Sequence, residues 1–294
     1  MVNKKNIMTR LISDDVIPVS ENLDKYEAGV RRVTGCSLRE IALLSAGSPS
    51  LGDAFGQIDE VIKTTHVAVV PIDTGDGIIP GFSEACCTIA LHLGFPSFVT
   101  RKTDVSGIAE AAEKGSDVIL MADDDAFIAY NPKLGTVIRN RASTAWGFVT
   151  MLDKMCGGVA GKDALVLGIG PVGRSAVEKL AGMGAAVGIY DVQLEKSLEY
   201  LNICRSSHSA EVNIEKNLKG ALETYTLILD ATPAAGIIHE KEVRENMYVV
   251  SPGVPAGVTT AAQNKLADRF FHDKLELGTA VMLMRSVLDI FSRR

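Results

Sequence analysis

The sequence predicts an α/β protein of two domains, each organised around a parallel sheet. Of its 294 residues, 47% are hydrophobic but only 5% aromatic, and 27 are glycines, a balance that suits sheets and helices built on Ala, Val, Leu and Ile. Short apolar runs alternate with longer helical patterns along the chain, which is the signature of βαβ units. The length also exceeds that of a usual single domain, roughly 100–200 residues.

The elements follow in order. Two or three helices come first, the clearest over Asn22–Arg32 and Ser37–Leu44. Strands are then expected at His66–Asp73, Ser97–Thr100 and Asp117–Asp123, with helices over Phe82–Leu93 and Ser106–Lys114 between them. The stretch Asn140–Cys156 reads as one long helix stopped by Gly157-Gly158. After it the pattern restarts with strand Ala164–Leu167, helix Val172–Leu180, strand Ala186–Tyr190 and helix Leu194–Cys204. Further strands fall at Thr226–Asp230, Tyr248–Val250 and near Arg269–His272, before an apolar helix from Gly278 to the end. The expected domains are therefore 1–157 and 158–277, with the helix 278–294 packing back on the first.

Composition excludes several classes. A net charge of -6 with no dense Lys/Arg run argues against nucleic-acid binding. No run approaches the roughly 20 apolar residues needed to span a membrane, and the N-terminus lacks the apolar core of a signal peptide. A cytoplasmic protein is expected. The five cysteines (Cys36, Cys86, Cys87, Cys156 and Cys204) are odd in number and form no CxxC, so they read as reduced thiols. The five histidines show no metal-ligand spacing, and no metal is expected.

Three signals coincide between Ala164 and Asp191. A buried-strand run, Ala164-Leu165-Val166-Leu167, leads into Gly168-Ile169-Gly170-Pro171-Val172-Gly173, and a helix opens at once. This is the dinucleotide-binding arrangement of a Rossmann-type, doubly wound sheet. Gly168 allows the tight turn, Gly170 lets backbone approach a pyrophosphate, and Gly173 allows close helix–strand packing. The helix N-terminus offers N–H groups and a partial positive charge to the phosphates. A second strand ends in Asp191, eighteen positions after Gly173, where a carboxylate binds ribose hydroxyls and repels a 2′-phosphate. NAD is thus the expected cofactor. Arg174 is the one counter-signal, but it lies in the glycine turn rather than after Asp191.

Two more loops close strands on the expected ligand side, Asp230-Ala231-Thr232-Pro233 and Ser251-Pro252-Gly253-Val254, and would flank the nicotinamide ribose and ring. Plain turn chemistry explains the prolines and glycine equally well. In the first domain the strands end in Asp73-Thr74-Gly75-Asp76-Gly77 and Asp123-Asp124-Asp125. If both sheets face a common cleft, these carboxylates suit an amine-bearing substrate, with Asp123 or Asp124 holding an ammonium group. By itself the triple Asp reads better as a solvated loop, and Asp73 and Asp76 fit an ordinary Asp/Gly turn. No His, Lys or Tyr-x-x-x-Lys is marked by spacing as the general base that amine oxidation requires.

The strings Gly94-Phe95-Pro96-Ser97-Phe98-Val99-Thr100, Asp104-Val105-Ser106-Gly107 and Val118-Ile119-Leu120-Met121-Ala122-Asp123-Asp124 resemble the pyrrolysine-forming dehydrogenase family. The similarity runs from about Leu11 to Met284 and includes Gly75-x-Gly77-Ile78-Ile79 and Leu275-x-x-Gly278-Thr279-Ala280. That resemblance implies NAD-dependent oxidation of the terminal amine carbon of 3-methylornithyl-lysine. Loss of ammonia and closure of a pyrroline ring would follow. It also implies that Asp123 anchors the substrate amine and acts as the catalytic-site carboxylate. Thr74, Asp76, Phe82 and Ser83 would line the pocket, and Leu11 would close over the ligand. The chain departs from the family pattern where Asp73-Thr74-Gly75-Asp76 stands in place of Thr-Ser-Gly-Asn, and where Asp125 replaces an Arg. Its N-terminus is longer too, which makes Met8 an alternative start.

Two other readings compete. One is an NAD-dependent dehydrogenase of another cationic amino or imino acid, since fold does not fix function. The other is a non-catalytic NAD-binding sensor. A homodimer is expected from base rates and from the apolar stretch Ala280–Met284, which core packing would explain as well.

Overall fold

The protein is described here by a computed structural model covering residues 22–47, 54–207 and 212–293. The chain divides into two compact units. One takes the described residues through Ser143, except 32–35, together with those from Lys274 onward; the other takes Thr144–Asp273 with 32–35.

The first unit opens with helices α1 (Leu23–Thr34), α2 (Leu38–Ala46) and α3 (Ala54–Thr64). Local chemistry sets the ends of α2. Ser37 accepts the Glu40 N–H through its hydroxyl, the Glu40 carboxylate reaches back to the Ser37 N–H at 2.6 Å, and Gly47 closes the helix at φ +100°. The Ser37 N–H and hydroxyl hold the Glu40 carboxyl below its ordinary value. Such a cap contributes about 1 kcal/mol.

Strand β1 (Val67–Val70) is buried throughout and pairs in parallel with β2 (Ser97–Val99) and β3 (Val118–Ala122). Helices α4 (Phe82–His92) and α5 (Asp104–Glu113) make the crossovers. Two further strands, β4 (Phe127–Asn131) and β5 (Thr136–Arg139), complete the sheet in the order β2-β1-β3-β4-β5. Both run antiparallel to their predecessors, so the sheet is mixed rather than wholly parallel as the sequence suggests. The reason is chain length. A parallel connection needs a crossover of a dozen residues or more, whereas a four-residue turn separates β3 from β4.

The last helix, α11 (Glu276–Phe291), belongs to this first unit. It packs chiefly on α2, and also on α3, α4 and the β4–β5 hairpin. Leu277 and Ala280 to Met284 are fully buried there. That stretch is core, and the sequence-based expectation of a dimer loses its structural support.

The second unit contains most of α6 (Asn140–Met155). The division falls between Ser143 and Thr144, inside this helix, and not near residue 157. Ala145, Phe148, Val149, Met151 and Leu152 are fully buried, and the Phe148 ring lies 5.6 Å from that of Phe271. The burial of this face assigns the helix, while Gly157 and Gly158 stop it at positive φ.

Six parallel strands follow: β6 (Asp163–Leu167), β7 (Ala186–Tyr190), β8 (Val212–Ile214), β9 (Leu227–Asp230), β10 (Tyr248–Ser251) and β11 (Phe270–His272). Helices α7 (Pro171–Gly182), α8 (Leu194–Ser207), α9 (Leu218–Thr224) and α10 (Thr260–Leu266) cover them. The spatial order β11-β10-β9-β6-β7-β8 is 3-2-1-4-5-6 read from the other edge with β6 as the first strand. Chain progression reverses between β6 and β9, which places the ligand crevice beyond the carboxyl ends of those strands. Strand β8 and helices α9 and α10 went unread in the sequence because each is only three to seven residues long.

Candidate active site

The glycine turn sits at the reversal point, and each glycine there meets a different constraint. Gly168 adopts φ +85°, and its N–H donates to the Tyr190 carbonyl at 2.8 Å, joining the ends of β6 and β7. A Cβ on Gly173 would fall 1.9 Å from the Gly168 carbonyl oxygen, so the start of α7 has no room for a side chain. Gly170, by contrast, faces open space, with nothing within 4 Å of an added Cβ. Pro171 occupies the first position of α7, where a missing N–H costs nothing. The first turn then carries the backbone N–H groups of Val172 and Gly173, which have no partner within the helix.

Asp191, at the end of β7, is tied to that turn. Its Oδ2 accepts the Ile169 N–H at 2.9 Å and its Oδ1 accepts the Gln193 N–H at 2.9 Å. A carboxylate has about four acceptor sites, so the half-buried group keeps capacity for ribose hydroxyls. Arg174 is committed to the turn itself and to Tyr200. Its Nε donates to the Ile169 carbonyl at 3.2 Å and its guanidinium lies 5.4 Å from the centre of the Tyr200 ring. The counter-signal read in the sequence is thereby accounted for locally.

Asp230 heads the 230–233 loop, where the sequence marks Ala231, Thr232 and Pro233 as cofactor contacts and gives the acid no role of its own. It is fully buried. Its Oδ1 accepts the Thr232 N–H at 3.1 Å and hydroxyl at 2.7 Å; its Oδ2 accepts the Ser251 hydroxyl at 2.9 Å and the Gly257 N–H at 2.8 Å. Burial holds its pKa above the ordinary value, although those four donors oppose the rise. Its backbone carbonyl also takes the Gly253 N–H at 3.2 Å. Both glycines are required: a Cβ would fall 2.0 Å from the Thr232 carbonyl oxygen at Gly253 and 2.4 Å from Asp230 Oδ2 at Gly257. The network continues to β11, where His272 Nδ1 lies 2.7 Å from the Ser251 carbonyl oxygen. A carbonyl oxygen only accepts, so this contact requires the proton on Nδ1. The signal for Asp230 was present in the sequence as an acid closing the wholly apolar run Leu227-Ile228-Leu229.

In the first unit, the structure gathers the acidic loops at the carboxyl ends of β1 and β3. The Asp73 N–H and the Thr74 hydroxyl both donate to Asp104 Oδ1 at 3.0 Å. Asp104 itself stands at φ +53°, an unusual backbone for a non-glycine residue. Hydrogen bonds from Thr103, Asp73 and Thr74 hold its carboxyl below the ordinary value. The Asp76 N–H donates to Asp124 Oδ2 at 3.0 Å, and a Cβ on Gly75 would collide with that carboxylate. Asp104 and Asp124 thus hold the 73–76 loop, a task the sequence reading assigned to neither.

Asp123 closes the β3–β4 turn, its Oδ1 accepting the N–H groups of Asp125 at 2.9 Å and Ala126 at 2.8 Å. Asp73, Thr74, Asp76 and Asp123 are exposed, whereas Phe82 and Ser83 are buried. The Phe82 ring meets that of Phe127 edge-on at 5.3 Å. Leu11 lies outside the described residues. All five cysteines are free thiols, and burial pushes the Cys86 thiol up. Among the described residues no three His, Cys, Asp or Glu side chains cluster as a metal site. No described helix is long and apolar enough to cross a membrane.

Known proteins share this architecture. Shikimate dehydrogenase from Aquifex aeolicus superposes with a TM-score of 0.51 at 13% identity, over 79% of this chain and 93% of its own. Quinate dehydrogenase from Corynebacterium glutamicum, solved in complex with NAD, also gives 0.51, at 10% identity over 76% and 94%. The bifunctional methylenetetrahydrofolate dehydrogenase/cyclohydrolase from Thermoplasma acidophilum gives 0.52, at 10% identity over 87% and 98%. Residues 139–247 match the family described as alanine dehydrogenase/PNT, C-terminal domain. Sheet order, glycine turn and family match together define a Rossmann-type dehydrogenase, an oxidoreductase by class.

Residues 15–138 match the family described as pyrrolysine biosynthesis protein PylD, N-terminal domain. Pyrrolysine synthase of Methanosarcina barkeri is 32% identical over 279 residues, spanning 94% of this chain and 97% of its own. That of Methanosarcina acetivorans is 30% identical over 279 residues, spanning 94% and 98%. The chain belongs to the pyrrolysine synthase family.

Proposed function

We propose that this protein uses NAD to oxidise the terminal amine carbon of 3-methylornithyl-lysine and that its product closes to the pyrroline ring of pyrrolysine. NAD, which the 168–173 turn and Asp191 would hold, would supply a two-electron oxidant; the carbon gives up a hydride and the nitrogen a proton, leaving an imine. Water replaces ammonia to form an aldehyde, and the neighbouring α-amine condenses with it, releasing that water. The net change is loss of ammonia and two hydrogens.

The observation that carries this reading is the relationship to two pyrrolysine synthases along 94% of the chain. Local chemistry agrees with it. A carboxylate beside the glycine turn, with Arg174 engaged by the Ile169 carbonyl and the Tyr200 ring, favours the ribose hydroxyls of NAD over a 2′-phosphate. The exposed carboxylates of Asp73, Asp76 and Asp123 suit a substrate that carries ammonium groups. In this reading Asp123 keeps Oδ1 on its own turn and offers Oδ2 to the substrate amine.

The acidic 73–76 loop also favours a second reading, oxidation of another cationic amine on the same scaffold. Mixing purified protein, NAD and 3-methylornithyl-lysine tests both. NADH absorbance with a product lighter by ammonia and two hydrogens supports the first reading. NAD binding without turnover, followed by NADH formation from a different cationic amine, supports the second.

A further inference from the structure

We infer that Asp230 is a positioning residue for the nicotinamide half of the cofactor, an inference that rests on the NAD reading above. A doubly wound sheet consists of two mononucleotide-binding halves meeting at the reversal of strand order. Here β6, β7 and β8 form one half, with Asp191 at its edge, and β9, β10 and β11 form the other. The adenosine end of a dinucleotide belongs with Asp191, so the nicotinamide end lies over the loops that follow β9 and β10. Those two segments, 231–239 and 252–259, are joined at their far ends by backbone bonds from the Ile237 and Ile238 N–H groups to the Gly257 carbonyl, and at the sheet by one buried carboxylate.

The chemistry of that fastening is specific. Asp230 accepts from two groups of the first loop side, both on Thr232, and from Ser251 and Gly257 on the second. All four donors are neutral, so no ion pair masks the group. Its lone pairs are engaged and it is fully buried, which rules it out as a proton acceptor for substrate. What it controls is spacing. The approach of Gly253 to the Thr232 carbonyl and of Gly257 to Asp230 Oδ2 leaves no slack for a side chain at either position. Gly168 extends the constraint to the pyrophosphate turn, because a Cβ there would fall 3.0 Å from the Ala231 carbonyl oxygen.

Asp230→Asn removes one acceptor while keeping the size of the side chain. With the NH2 toward Gly257 the two loops must separate; turned the other way it meets the Thr232 N–H and opens the first loop's own turn, so either rotamer disturbs the loops beneath the nicotinamide. The expected result is an NAD affinity weakened about tenfold or more, with AMP affinity held within about twofold, because AMP needs only the Asp191 half. Ser251→Ala, which deletes one neutral hydrogen bond, is expected to shift the NAD-to-AMP ratio in the same direction by about three- to tenfold. It keeps the inference testable if Asp230→Asn fails to fold.

Both affinities are measured by calorimetric titration, with thermal melting as the check on folding. An NAD-to-AMP ratio unchanged in a folded Asp230→Asn or Ser251→Ala protein overturns the inference, and so does an equal loss for both ligands. Failure of the wild-type protein to bind NAD overturns the cofactor reading beneath it, an outcome distinct from either.

Discussion

The Ile169 N–H donates to the Asp191 carboxylate at 2.9 Å, so the residue inside the glycine turn and the acid at the end of the next strand are one unit. The same carboxylate takes the Gln193 N–H, which fixes its orientation from both sides. In the proposed NAD reading, a ribose would meet there an acceptor already aimed, with little reordering of the side chain.

Asp191→Ala removes that acceptor and its charge. Hydrogen bonds to charged groups contribute about 1.5–3 kcal/mol each, roughly ten- to a hundredfold in affinity. NAD binding should weaken by that order, and the preference for NAD over NADP should shrink, since the repulsion of a 2′-phosphate is gone. Titration with both nucleotides checks it; unchanged NAD affinity would place the ribose elsewhere.

Gly170 and Gly173 separate binding from folding. Gly170→Ala puts a methyl into space that is open in the protein, at φ -79°, so the melting temperature should stay at the wild-type value while NAD binding is lost. Gly173→Ala drives its methyl into the Gly168 carbonyl, a backbone atom with nowhere to go. It should destabilise by about 1–3 kcal/mol or more. Equal behaviour of the two variants would contradict these assignments.

Asp123→Asn tests the charge of that side chain without dismantling its turn. The Asn carbonyl oxygen still accepts from Asp125 and Ala126, whereas the negative charge is gone. Steady-state kinetics should show KM raised or kcat lowered by about tenfold with NAD affinity unchanged. A protein that no longer folds would mark Asp123 as structural alone.

Asp104 predicts a pH effect with a definite sign. Its folded-state pKa lies below the ordinary 3.8 because Thr103, Asp73 and Thr74 donate to the ionised form. A depressed carboxylate contributes stability above its unfolded pKa and loses it as pH falls through the folded value. Asp104→Asn tolerates the same positive φ, so its main effect is on this titration. The fall in melting temperature from pH 5 downward should be shallower in the variant. An identical acid limb would remove Asp104 from the loop's support.

Much of the second unit was legible because its signals are local. The run Ala164–Leu167, the three glycines and Asp191 lie within one βαβ segment, and backbone geometry alone assigns each a task. The strand Ala186–Tyr190 was read to the residue for the same reason. In the first unit the strands β4 and β5 are not legible, because they are short, half-buried (β4) or exposed (β5) on alternate residues, and stabilised by pairing rather than by composition.

The sequence by itself determined the α/β class, the glycine turn, the acid that follows it and the family to which the strings of the first half point. These depend on neighbours along the chain. Only the tertiary structure decided that Asp230, Ser251 and Gly257 meet, that Asp104 and Asp124 hold the 73–76 loop, and that Ala280 to Met284 are core. Each of those depends on residues tens of positions apart, brought together by strand pairing and by burial of apolar surface. A hydrogen bond across such a separation leaves no periodicity in the chain; it exists only once the sheet has set the distance.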